Sequence, residues 1–220
     1  MNRDSLTGGV QTYLEPGGVY WCNAGSGVVH EQIPKEIGKI STGLQVFIDL
    51  PAEHKLSPPS IQLIPSADVY RYTSDGGVNV RVLAGPNSTV KSLVDISILE
   101  VTIPHGSTFK HSLAAEHSSV LIHMLSGTVT AGTSILQPTD TASILLNPSS
   151  SFTISNLIQT GGKDEAKFIM FTGAPLSQPA VWGGPFLMLN EEQVEGRKRS
   201  YQSGGMGTLS PSPVEWVRRG

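Results

Sequence analysis

A chain of 220 residues with 24 glycines, 15 prolines, 15% charged residues and a net charge of −3 has room for one large or two small domains with a real core. Its slight acidic excess and the lack of any apolar run of membrane-spanning length argue against direct nucleic-acid binding and against a membrane partner. The opening MNRDSLTGG has no apolar secretion core and the single cysteine, Cys22, allows no internal disulfide, which predicts a reducing, intracellular setting, cytoplasmic or nuclear.

In chain order, glycine, proline and short β-branched runs predict an all-β protein. Residues 10–14 and 18–22 flank Glu15-Pro16-Gly17-Gly18, a turn of the kind that joins antiparallel strands. Residues 28–33 read as the next strand. Leu44, Val46 and Ile48 alternate with Gln45, Phe47 and Asp49, which predicts a strand that stops at Pro51. Residues 52–74 contain three prolines and no sustained periodicity, and read as a long connection between two sheet systems.

The pattern restarts with Val78, Val80 and Val82. Further strands are predicted at 96–103, 119–125, 142–146, 152–155 and 167–172, a spacing that suggests a jelly roll or barrel. One helix is predicted. It starts at Asn190-Glu191-Glu192-Gln193, a capping-box-like run, and stops at Gly204, with Arg197, Lys198 and Arg199 towards the negative end of its dipole. Residues 205–213 are rich in Gly, Ser and Pro and are expected to be mobile, with Trp216 as their only anchor.

The candidate site lies in residues 21–34, WCNAGSGVVHEQIP. Gly25 and Gly27 mark a tight entry to the strand, on which residues two apart share a face. His30 and Gln32 therefore stand side by side as candidate metal ligands on a barrel wall, completed by at least one donor from elsewhere. Glu31 points to the opposite face. Cys22 has no cationic neighbour in sequence to make it a thiolate and reads as a small core residue. His105, His111, His117 and His123 recur every six residues, a spacing read as chance, and Gly183-Gly184-Pro185 reads as a sharp turn.

Six blocks carry a resemblance: residues 21–30 (WCNAGSGVVH), 43–45 (GLQ), 50–52 (LPA), 80–85 (VRVLAG), 171–176 (FTGAPL) and 183–188 (GGPFLM). In this order they resemble successive blocks of the pirin family. The resemblance implies a bicupin of the cupin superfamily, two jelly-roll β-barrels with one C-terminal helix. It implies residues 1–51 as the remnant of an incomplete first barrel, 52–77 as a connection, 78–189 as the second barrel, and 190–220 as helix and flexible tail. It also implies one iron-type site in the first barrel, built from an upstream His-x-His pair and a later His-x-Glu.

Of those four ligands His30 stands in place and Gln32 occupies the Glu position. The chain begins after the point where the His-x-His pair would fall, so it looks N-terminally truncated, and iron is expected to be weakly held or absent. In the second barrel, counting back from Gly127 puts Ala114, Glu116 and Val120 at ligand positions, and the second cupin motif, with Gly132, Pro138 and Asn147 at its spacing, puts Ser143 at its histidine position. No metal is expected there. The family is described as quercetin 2,3-dioxygenases or as nuclear co-regulators of transcription. The resemblance thus implies either an interaction protein with transcription-related partners and a degenerate metal site, or an iron-dependent oxygenase acting on a flavonol.

Overall fold

Short strands dominate the computed structural model, which describes residues 2–34, 40–157 and 165–209. The chain forms two units, Met1–Leu63 with Ser177–Gly220, and Ile64–Leu176. In the first unit, β1 (Asn2–Asp4) pairs antiparallel with β3 (His30–Gln32), while β2 (Val19–Asn23) pairs with β4 (Ser60–Ile64). The turn after β2 needs glycine. Gly25 has φ +49°, the Ser26 N–H donates to the Ser57 carbonyl at 2.8 Å, and a Cβ on Gly25 would lie 2.1 Å from that same oxygen.

The second unit holds the core. Its strands are β5 (Tyr70–Ser74), β6 (Val78–Ala84), β7 (Ile96–Pro104), β8 (Thr108–Ser112), β9 (Ser119–Ser126), β10 (Val129–Ala131), β11 (Ser134–Leu136), β12 (Thr141–Leu145), β13 (Ser151–Ser155) and β14 (Glu165–Gly173). They make a six-stranded sheet in the order β12-β9-β14-β7-β6-β5 and a four-stranded sheet in the order β11-β10-β13-β8. Alternate residues point inward, as strand geometry requires. Val78, Val80 and Val82 of β6, Leu99, Val101 and Ile103 of β7, and Val120, Ile122 and Met124 of β9 meet Phe109, Val129 and Ile154 from the other sheet, closing over Phe168 and Met170. Each such buried aliphatic or aromatic side chain contributes about 1.5–3 kcal/mol. The turn after β9 is tight, since a Cβ on Gly127 would lie 2.6 Å from the Ala166 Cα.

The chain then rejoins the first unit through the hairpin of β15 (Val181–Gly183) and β16 (Phe186–Met188), turned at Gly184-Pro185, and continues into α1 (Glu191–Gln202). The Asn190 side chain accepts from the Gln193 N–H at 2.9 Å, and the Gln193 side chain accepts in return from the Leu189 N–H at 3.1 Å. This reciprocal pair starts the helix where its sequence predicts. Val194 is buried against Gly183, and the Gly205 N–H closes the far end on the Ser200 carbonyl at 2.7 Å.

Several expectations are corrected. Residues 10–14 form no strand; a single bridge joins Thr12 to Asn2, and Val10 and Tyr13 stay exposed. Residues 44–48 belong to no ladder among the described residues; Leu44, Val46 and Phe47 are exposed, and Phe47 meets Trp182 at 5.4 Å between ring centroids. Residues 52–74 are more than a connection, since they contain β4 and β5. Their prolines, Pro58, Pro59 and Pro65, bracket β4 rather than interrupt it.

The unit boundary consequently falls at Ile64 rather than at residue 78, and residues 177–189 group with the first unit together with the helix. Past the helix, Met206 is buried and its carbonyl accepts from the Ser5 hydroxyl at 2.7 Å, so Trp216 is not the only anchor of this region. Trp216 itself lies outside the described residues, as do residues 210–213 of the predicted mobile run.

Candidate functional site

Opposite residues of an antiparallel pair share a face, so the β1–β3 register fixes what surrounds the candidate ligands. His30 faces Asp4 and Gln32 faces Asn2, while Glu31 turns to the other face, where Arg3 donates to its carboxylate at 2.9 Å. His30 and Gln32 are exposed, whereas Asn2 and Asp4 are buried beside them. The Tyr20 ring lies parallel to the His30 imidazole at 6.0 Å, with an interplanar angle of 12°.

Asp4 is already engaged. Its carboxylate accepts from the Thr7 N–H, three residues on, at 2.9 Å and so caps the turn that follows β1. Its negative charge also reaches the neighbouring acids. Burial, then Cys22 and Asp4, holds the Tyr20 phenol above its ordinary range. Burial, followed by Asp4, pushes the Cys22 thiol up to about 11. Cys22 is therefore a neutral, half-buried thiol, in keeping with its reading as a small core residue.

A ferrous or ferric ion asks for several donors in fixed geometry, with anionic oxygen to balance charge. The donor set at this face does not fit it. It offers one exposed imidazole, one neutral amide and a carboxylate committed to a turn, and among the described residues no three His, Cys, Asp or Glu side chains are placed to hold a metal ion.

The second unit separates its four histidines. His117 is buried, with Nδ1 2.9 Å from the Thr172 hydroxyl and Nε2 3.1 Å from the Asp95 carboxylate. His123 Nδ1 lies 2.8 Å from the Thr141 hydroxyl on the outer face, His105 is exposed, and His111 packs between Phe109 and Phe152. Val120 is a core residue. Ser143 projects from the outer face of its strand, so the spacing of Gly132, Pro138 and Asn147 set that position one face away from where an inward ligand would stand.

One polar cluster was not read from the sequence. On the outer face of the six-stranded sheet, Glu100 of β7 accepts from Arg81 of β6 and pairs with Lys167 of β14, both at 2.8 Å. Burial opposes ionisation of Glu100, but the hydrogen bonds from Lys167 and Arg81 outweigh it and hold the carboxyl below its ordinary value of 4.5. A tertiary triad on three strands leaves no local spacing to find.

Two sheets closed over one apolar core make the second unit a jelly roll, and the cupin domain that its sequence matches makes the chain a member of the cupin superfamily. Residues 98–207 match the pirin C-terminal cupin domain. A Pseudomonas aeruginosa protein provisionally named a quercetin 2,3-dioxygenase is 29% identical over 200 residues, which cover 87% of this chain and 68% of that protein. Pirin-1 of Arabidopsis thaliana is 26% identical over 88% of this chain and 67% of its own length. A crystal structure of quercetin 2,3-dioxygenase from Acinetobacter baumannii shares the fold with a TM-score of 0.77 at 21% identity, covering 95% of this chain and 73% of that one. The chain belongs to the pirin family.

Proposed function

We propose that this chain is a pirin-like cupin protein that works by contacting other proteins, in a regulatory role, and that its metal position on β3 is degenerate. One observation carries the reading: the strand that bears His30 places Gln32, a neutral amide, on the exposed face, and the adjacent Asp4 carboxylate is buried in a turn. Family resemblance adds transcription-related partners, met in the nucleus or cytoplasm.

The names of two similar proteins favour a second reading, an iron-dependent quercetin 2,3-dioxygenase. In that case His30 would be one ligand, and iron would supply the electrophilic centre that activates the flavonol towards O2. Oxygen uptake decides between them. The chain loaded anaerobically with ferrous iron should consume no more O2 with quercetin than iron and quercetin alone. Saturable, quercetin-dependent uptake that His30→Ala abolishes would make the oxygenase the function.

A further inference from the structure

The six-stranded sheet ends in β5, whose only ladder partner among the described residues is β6. Four of its five residues, Tyr70 to Thr73, are exposed, so a row of backbone donors and acceptors faces outward. The side chains there continue a charged row across the sheet. Arg71 stands directly opposite Arg81 of β6, and Arg81 stands directly opposite Glu100 of β7. Like charges opposite one another are unfavourable, and the single carboxylate of this row is already shared between Arg81 and Lys167.

Arg71 has no acid. Among the described residues its guanidinium donates to the backbone carbonyl and, at 3.0 Å, to the hydroxyl of Ser66. The groove in front of this row, about 580 Å³, is lined by Ser66, Arg71, Tyr72, Arg81, Glu100 and Lys167 among others. Among the described residues of this lining, three cations stand against one carboxylate, in a chain whose net charge is −3. On the other face of β5, Tyr70 and Tyr72 lie 6.3 Å apart and stay about two-fifths exposed, at 43% and 38%.

We infer that the free edge of β5 is a docking site for an extended acidic segment of a partner protein, which adds to the sheet as a further strand. A carboxylate opposite Arg71 would complete the row as acid, Arg71, Arg81, Glu100, and the next side chain along the segment would lie against Tyr70 and Tyr72. Backbone pairing supplies affinity without regard to sequence, and the arginine row with the tyrosine pair supplies selectivity. A second copy of β5 fits less well, because it brings another Arg71 to the same face and no free carboxylate. The inference rests on the proposal that the chain works through protein contacts. Quercetin-dependent oxygen uptake tests that proposal and peptide binding tests this edge, so the two fail separately.

The test is fluorescence anisotropy with a labelled eight-residue peptide of alternating valine and glutamate. Its lysine counterpart and a version N-methylated at alternate residues serve as comparisons. The glutamate peptide should bind saturably, and the lysine and N-methylated peptides should each bind at least about tenfold more weakly. Arg71→Glu, an exposed change checked for folding by circular dichroism, should weaken the glutamate peptide by a similar factor, and Arg71→Lys should recover part of the loss. No saturable binding at millimolar peptide would overturn the inference. So would equal binding of the N-methylated peptide, which would reveal only diffuse attraction, an unchanged affinity in Arg71→Glu, or dimerisation of the chain through β5 in place of peptide binding.

Discussion

At the scale of single residues, the candidate site was legible as far as side-chain chemistry and strand period reach. Alternation puts His30 and Gln32 on one face and Glu31 on the other, and the β1–β3 register has that arrangement. What the spacing could not show is that Asp4, distant in sequence, lies beside His30 and is spent on the Thr7 N–H. That burial and that charge set the behaviour of Cys22. With its pKa pushed up to about 11, the native thiol should react with an aromatic disulfide reagent at pH 8 at least about tenfold more slowly than in the unfolded chain. Equal rates would contradict the placement of Cys22.

His111 belongs to the same scale. Burial, then the nearby His117, holds its pKa below the ordinary 6.5. The folded state therefore binds fewer protons than the unfolded chain once the pH drops beneath that value. The stability due to neutral His111 is fully present above pH 6.5 and is lost as the pH falls towards the lowered folded pKa. His111→Phe should flatten the decline of melting temperature below pH 6.5, and parallel profiles for the two proteins would count against this cause.

At the scale of elements, strands with one face in the core were visible in sequence, the edge strand β12 among them, whereas the edge strand β5 was not. Val78, Val80 and Val82 alternate because β6 has one face in the core, whereas β5 buries none of its residues and so leaves no alternation to read. The converse error occurred at residues 44–48, where a strand-like pattern of Leu44, Val46 and Ile48 meets no ladder partner among the described residues. Pattern reports what a segment could pair with; it does not supply the neighbour. The helix was legible because its signal is local. Asn190→Ala removes the acceptor for the Gln193 N–H and should cost about 1 kcal/mol in a denaturant titration. A variant as stable as the parent would mean that the cap adds nothing to the fold.

At the scale of the whole molecule, the second unit keeps a jelly-roll core while its inward positions are filled by side chains such as Val120, Ile122 and Met124, which pack but coordinate nothing. The first unit keeps the strand that bears His30 but surrounds it with an amide and a committed carboxylate. Fold and site thus come apart: membership of the pirin family rests on the sequence match of residues 98–207, and the proposed function on the site. The direct test is iron content by elemental analysis after anaerobic ferrous loading and desalting, on the parent, His30→Ala and Gln32→Glu. The account predicts far less than one iron per chain in all three, since restoring one carboxylate still leaves two donors. A parent that retains close to one iron per chain, lost in His30→Ala, would contradict it.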